Sequence, residues 1–475
     1  MLLNMARFTP ASDEAVDKKK VDYQKLAKDF ITDQEYRFRY YHGRYLEYQG
    51  THFVEREPEF LTIQLRRWLL KNKVPHNNTL VGNVAESVKA IVAVDPNQEI
   101  PCFVGKGEWP DPKNIIAFEN GLLDLGSFLG GEPRLLKHTC NWVSTSCLPY
   151  PYDPQAQCPT WEGFLAASLE GDREKVTLLR QWFGYCLGWD TSLQKMVFLV
   201  GPPRAGKGTT SRVLQKLVGE RNYTAYNLWK LAENFGLAPL VGKQVAFVGE
   251  INLAGAQKKH QILEQLNSIV GGDPVSVNAK HRDEYTVFLP TRFTFNCNEM
   301  PAFFDTTGAF AARLLVVEFN TSFAGREDAD LDRKLAAEVP GIANWALAGL
   351  ADLRRAGRFT VTERLNEAVV AVQREASTPL AFAQDCLVVE EFYHNPSLPK
   401  VRTSTDHLWA KKEAVWQAYI QWCGENCREL GSRVWFFRDL RALLPKLSKD
   451  RDKKVIDGKE VEVVRGVAVA SPPGT

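Results

Sequence analysis

No apolar run in this chain approaches the ~18 consecutive residues that a membrane-spanning helix needs, and the opening Met-Leu-Leu is too short for a secretory signal. Cysteine is sparse and scattered. The nine residues form no C-x-x-C pair, and the odd total argues against a disulfide framework or a zinc knuckle. Cys423 and Cys427 stand one helical turn apart, but without a second ligand pair they read as small packing residues. Neither sign of charge dominates: 59 Lys and Arg face 57 Asp and Glu, so affinity for nucleic acid has to come from local patches and not from a global field. These absences point to a reducing, cytoplasmic compartment, and the 475 residues suggest about three domains, each large enough for its own core.

What is present is more specific. GPPRAGKGT, the stretch Gly201, Pro202, Pro203, Arg204, Ala205, Gly206, Lys207, Gly208 and Thr209, follows the apolar run Met196 to Val200 and leads into the helical pattern from Ser211 to Val218. Strand, glycine loop and helix in that order make a phosphate-binding loop. The glycines let backbone N–H groups curl around an anion, the helix aims its positive end at the phosphates, and Lys207 reaches the outer two. The expected ligand is ATP with Mg2+. Where a Ser or Thr usually follows the lysine to ligate magnesium, this chain has Gly208, so Thr209 or water has to fill that place.

Three further residues fall where an ATPase needs them. The buried-strand pattern Val245 to Val248 leads to Glu250, a carboxylate at a strand end beside the loop, which serves as general base and metal-site carboxylate jointly, with the split left open. A third strand, Arg292 to Asn298, brings the amide of Asn298 to hold the attacking water. Arg313 stands immediately before the apolar run Leu314 to Phe319, and phosphoryl transfer gains most from a cation brought to the developing charge, as rings of ATPases do from the neighbouring subunit.

Together GPPRAGKGT, FVGE, Val270 to Val277 with Lys280, His281 and Arg282, NCNEMP and AARLLVVEF resemble a superfamily 3 helicase, and more narrowly the helicase portion of phage, plasmid and poxvirus primase-helicases. The likeness extends upstream through Asn120 to Leu125, Leu148 to Trp161 and Trp182 to Gly188, and downstream through Glu338 to Leu350. The resemblance implies an α/β chain with a P-loop AAA+-type core, flanked by an N-terminal mixed α+β and helical collar region and a C-terminal winged helix. It implies a ring, expected to be a hexamer, that hydrolyses ATP at subunit interfaces and moves along single-stranded and forked DNA in the 3-prime to 5-prime sense. Lys280, His281 and Arg282 match the channel hairpin that grips DNA phosphates, a contact that is strong and blind to base sequence. Members that prime carry an extra amino-terminal domain, so any primase is expected to be a separate replication partner.

The segments expected are a tail at 1–28, a helicase-associated α+β domain at 29–150, a helical collar at 151–195, the ATPase core at 196–320, a helical segment at 321–380 and a winged helix at 381–475. Tyr150 to Pro154 reads as a linker, and Trp161 to Leu187 has helical spacing. His42-Gly43, Asn120-Gly121 and Asp457-Gly458 read as tight turns, and Val415, Tyr419 and Trp422 as one buried helix face. A second helix there starts after Ser432. Residues 431–466 hold ten Lys and Arg against six Asp and Glu, an excess of four that suits a helix in a duplex groove with a basic wing; docking of a protein partner fits as well. Two rival functions share the loop: a nucleotide kinase, which also places Gly after the lysine, and an assembly ATPase that remodels protein.

Overall fold

The structure, a computed structural model, describes residues 21–249, 258–278, 284–300, 310–361, 377–390, 400–401, 408–443 and 453–470, and divides into two compact units. The first comprises residues 1–108 and 138–145. Its opening helix, Tyr23–Asp33, begins inside the stretch expected to be a tail: Asp22 accepts a hydrogen bond from the Lys25 N–H, and Ala27, Phe30 and Ile31 are buried, a period hidden from sequence by the lysines between them. Strands Phe38–Tyr41, Arg44–Tyr48 and Phe53–Arg56 form an antiparallel meander. His42 and Gly43 both take positive φ, 44° and 78°, as a two-residue hairpin turn requires. Helix Asn78–Val92 buries Val81, Val84, Val88 and Val92 along one stripe. Phe30 stacks on Phe38, and Trp68 meets Phe30 edge-on while its indole donates to Asp33. The buried guanidinium of Arg39 is satisfied by the carbonyls of Tyr36, Phe38 and Cys140, which ties the meander to the returning segment.

The second unit comprises residues 109–137 and 146–475. At its heart lie five parallel strands: β1 (Met196–Val200), β2 (Tyr223–Tyr226), β3 (Val245–Val248), β4 (Arg292–Cys297) and β5 (Leu314–Glu318). Their spatial order is β2-β3-β4-β1-β5. β1, β3 and β5 are apolar almost throughout because helices cover both faces of such a sheet, while β4 alternates Phe293 and Phe295 with Arg292, Thr294 and Asn296. Phe198 stacks on Phe295 with centroids 4.3 Å apart. Burying rings of this size contributes about 2–3 kcal/mol each.

The stretch from Trp161 to Leu187, expected to be helical, forms two helices, α1 (Pro159–Ser168) and α2 (Arg173–Leu187). Glu170 and Gly171 turn left-handed at φ 55° and 69°, and Asp172 caps α2 by accepting from the N–H groups of Glu174 and Lys175. Helix α3 (Lys207–Val218) follows β1, α4 (Lys259–Gly271) precedes β4, and α5 (Leu331–Ala337) and α6 (Val339–Ala356) follow β5. α2 and α6 pack backbone to backbone: a Cβ on Gly184 would lie 2.3 Å from the Ala346 carbonyl oxygen, and one on Gly349 2.3 Å from that of Arg180. Glu338 accepts from the N–H groups of Thr160 and Trp161 and so caps α1 from a distant part of the chain.

The stretch from Tyr150 is no free linker. Tyr150 is buried against Phe118 and donates its hydroxyl to the Leu217 carbonyl, because a tyrosine between prolines still carries a large apolar face. Asn120-Gly121 does close a hairpin between Ile115–Phe118 and Gly121–Asp124.

The C-terminal part of this unit has its own core around Phe382, Tyr419 and Phe436. It runs helix Thr378–Cys386, strand Trp409–Lys411, helix Lys412–Glu425, helix Arg433–Leu443, then hairpin Lys453–Ile456 and Lys459–Arg465. Strand Trp409–Lys411 pairs with the second arm of that hairpin. Val415, Tyr419 and Trp422 are buried as their spacing implied, and the Ser432 hydroxyl accepts from the Trp435 N–H. Asp457-Gly458 makes the turn at φ 50° and 76°.

Candidate functional site

Sheet register builds the site. Val200 at the end of β1 is level with Cys297 of β4 and Glu318 of β5, so Gly201, Asn298 and Phe319 leave the sheet side by side at its carboxyl edge. That edge is where open parallel sheets bind ligands. Gly201 takes φ 149°, and a Cβ on it would lie 2.0 Å from the Phe319 carbonyl oxygen, so only glycine fits. Gly206 takes φ 104° and starts α3; a Cβ there would lie 3.0 Å from Ser168 Oγ and 3.1 Å from the Phe164 ring. The loop therefore closes tightly against both the end of β5 and α1, and α3 starts at its last glycine.

Lys207 is nearly buried and folds back over the loop. Its ammonium donates to the carbonyls of Gly201 and Pro202, the latter at 2.8 Å, and reaches Asn298 Oδ1 at 3.4 Å. Lysine and amide, 91 residues apart in sequence, thus meet at one point. Ser211, one turn further along α3, donates to Asn296 on β4 and holds helix and strand together.

Arg204, Pro202, Pro203 and Gly208 are exposed, Ala205 is buried and Thr209 half-buried. The Arg204 side chain pairs with Glu327, and both residues line the space beside the loop. Its carbonyl accepts from the Phe323 N–H at 3.0 Å, and Ser322 donates to the Pro203 carbonyl. The carboxyl of Glu327 is held below the usual range by its own backbone N–H and by Arg204. The segment after β5 is thereby fastened to the loop. Nothing in the sequence spacing marks this contact, since 123 residues separate the partners.

A cavity of about 640 Å³ opens onto the loop, a size in the range of small-molecule sites. Phe164, Phe323 and Leu331 line it, as do four cations, Arg204, Lys207, Arg212 and Arg326, and three carboxylates, Glu327, Asp328 and Asp332. Arg204 and Arg212 are paired with two of those acids, Glu327 and Asp332, and Lys207 at the loop is the cation placed for a polyanionic tail.

Arg313 lies at the other end of the sheet. It precedes β5, whose first residue is level with Met196 at the start of β1. Five residues of strand separate it from the loop edge, roughly 16 Å at the usual rise. Its guanidinium lies beside Gly271, with the Asp273 carboxylate close by. Lys195 sits next to it and donates to the Ala312 carbonyl. Burial, with the charge of Arg313 added, pushes the Lys195 ammonium below the usual lysine range. Lys195 was not singled out from sequence; its place just before β1, beside the residue preceding β5, was the available signal.

Two groups of expected residues lie outside the described residues: Glu250, two positions past the end of β3, and Lys280, His281 and Arg282. The described runs Val275–Val277 and Tyr285–Val287 pair antiparallel, with Val277 opposite Tyr285. Among the described residues no group of three His, Cys, Asp or Glu could hold a metal ion, and no helix is long and apolar enough to cross a membrane.

Residues 24–169 match the family described as "D5 N terminal like", and residues 199–313 match a family of unknown function (DUF5906). The second match begins inside β1 and ends at Arg313, so it contains the loop, Asn298 and the arginine. The fold is similar to the apo structure of the NrS-1 C terminal region in its A form, with a TM-score of 0.52 and 13% identity over 93% of this chain and 99% of that one. It is similar again to the apo structure of NrS-1 C terminal region (305–718), at TM-score 0.50 and 11% identity over 95% and 100%. An uncharacterized mitochondrial protein, ymf21 of Marchantia polymorpha, is 29% identical over 89 residues, 19% of this chain and 49% of that protein. The chain thus spans about half the length of that curated relative.

Proposed function

We propose that this chain is the subunit of a superfamily 3 DNA helicase of the phage, plasmid and poxvirus primase-helicase kind, with a P-loop AAA+-type core and a winged helix at its carboxyl end. The observation that carries the reading is the meeting of Lys207, its glycine loop and Asn298 at the carboxyl edge of the parallel sheet. The residues fit a nucleoside triphosphate: phosphate oxygens replace the carbonyls of Gly201 and Pro202 on Lys207, while the first N–H groups of α3 hold the same anion. Magnesium, when bound with the nucleotide, neutralises charge on the phosphates. Asn298 positions the attacking water, and Glu250 takes its proton. Arg313, too far from its own loop, completes the site of the neighbouring subunit, which is what makes the enzyme a ring, proposed as a hexamer. Lys195 stands beside it as a second cation.

The matched "D5 N terminal like" region and the NrS-1 likeness support a replication role. The hairpin carrying Lys280, His281 and Arg282 grips single-stranded DNA in the channel, and the carboxyl-terminal helices and hairpin take duplex DNA at the fork or a separate primase. The protein works in the cytoplasm of a bacterial host. The nucleotide-kinase alternative is disfavoured by β4, which stands between the loop strand and β3 and brings Asn298 to Lys207, a placement suited to hydrolysis by water.

Phosphate release, strand separation and assembled mass, each measured with and without ATP and single-stranded DNA, test the reading. DNA-stimulated hydrolysis that disappears in Lys207→Ala is expected, with Lys280→Ala uncoupled from DNA. A strictly monomeric particle, or strand separation by Lys207→Ala at the unaltered rate, rules the reading out.

A further inference from the structure

The magnesium part of that reading meets an obstacle at the loop. Gly208 has no side chain where a metal-binding hydroxyl would stand, which leaves Thr209 as the neighbouring hydroxyl. The Thr209 hydroxyl is already engaged: Arg212 Nη2 donates to its oxygen at 3.1 Å. The guanidinium is itself held in place, because Arg212 Nε donates to both carboxylate oxygens of Asp332, at 3.0 and 3.2 Å. Lys216, one turn on, donates to the Asp332 carbonyl and fixes that residue from the same helix.

The missing side chain and the arginine belong together. Residues 208 and 212 are four apart on α3 and share a face, and helical side chains lean back toward the helix start. Arg212 therefore lies over the bare backbone of Gly208, with Nη1 3.4 Å from where a Cβ would be. A magnesium ion bound to Thr209 would sit about 2.1 Å from the hydroxyl oxygen, with the guanidinium nitrogen on the same atom. Two cations on one oxygen repel, and in a half-exposed site the fixed guanidinium takes the place.

We propose that Arg212, and not Thr209, supplies the side chain by which the first turns of α3 meet the nucleotide: its guanidinium contacts phosphate oxygens directly, beside the backbone N–H groups, and the loop contributes no hydroxyl to the metal. The proposal rests on the nucleoside triphosphate reading of the cavity. Magnesium then reaches the site on the phosphates themselves, and nucleotide binds well without it. Asp332 is a positioning residue that aims the guanidinium.

The test is equilibrium binding of a fluorescent ATP analogue to the full chain, across a magnesium series and in chelator, with folding followed by circular dichroism. The unaltered chain is expected to bind in chelator within about threefold of its affinity in magnesium, while Arg212→Gln weakens binding about tenfold under both conditions, the scale of a lost charge-assisted contact. Thr209→Val is expected to keep the same half-saturating magnesium concentration, whatever its overall affinity. Asp332→Asn, which loosens the guanidinium without removing it, gives a smaller loss than Arg212→Gln. A tenfold or greater rise in the magnesium requirement of Thr209→Val, or unchanged affinity of folded Arg212→Gln, overturns the proposal. If the unaltered chain binds no analogue in either condition, the nucleotide reading falls first and this one with it. If it binds only with magnesium, this proposal alone falls.

Discussion

The two ends of the central sheet handle positive charge in opposite ways. At the carboxyl edge the Lys207 ammonium is turned inward onto carbonyls of its own loop, so the edge is closed on itself until a stronger anion arrives. At the amino edge Lys195 and Arg313 stand together, and burial, with the charge of Arg313 added, depresses the lysine. Bringing like charges together costs free energy that a nearby anion recovers. Asp273 supplies some of that, and in the proposed ring a polyphosphate on the neighbouring subunit would supply more. The comparison teaches that one chain holds two separate clusters of positive charge, about 16 Å apart along a strand, which the proposed ring would bring together from neighbouring subunits.

The comparison breaks most readily at Arg313. Arg313→Ala should lower phosphate release about a thousandfold, the scale of a lost trans arginine, with nucleotide binding retained. Mixing Arg313→Ala with Lys207→Ala chains should restore part of the rate, because one of the two kinds of mixed interface pairs an intact loop with an intact arginine. No recovery on mixing would place both residues in the same chain's site. Asn298→Ala, at the closed edge, should lower the rate about a hundredfold, as for loss of one preorganised polar group, and mixing with Arg313→Ala should rescue it likewise.

Lys195→Met should cost about tenfold at neutral pH. The sign of its pH dependence follows from the depressed ammonium: as pH rises the cation is lost earlier than for an ordinary lysine, so the rate has an alkaline limb. Lys195→Arg keeps its charge and should move that limb upward in a pH profile of phosphate release. An unmoved limb assigns it to another group.

The smallest effect on rate is expected from Gly184→Ala. The added Cβ meets backbone of α6, so thermal unfolding should show a loss of about 1–3 kcal/mol, while both edges keep their per-molecule activity wherever the protein stays folded. Unequal losses at the two edges would show that α2 and α6 position one of them in particular.

Much of this was legible along the chain. The loop follows from glycines at positions needing positive φ, and β1, β3 and β5 from apolar runs, since both are local requirements of backbone and burial. Tyr150 was misread because prolines signal a linker while burial depends on what lies across the fold, here Phe118 and Leu217. The Arg204–Glu327 latch and the Glu338 cap on α1 were invisible for the same reason: each joins residues well over a hundred positions apart.

Sequence by itself determined the chemistry available: a lysine after a glycine loop, an amide ending a strand, an arginine beginning another, and a glycine where a hydroxyl is customary. Tertiary structure decided which of these meet. Parallel register set Asn298 beside Lys207 and carried Arg313 to the opposite edge, and the turn of α3 laid Arg212 over Gly208. The physical reason is that identity and local conformation are written residue by residue, whereas proximity is settled by strand order and helix packing, which no short window of sequence contains.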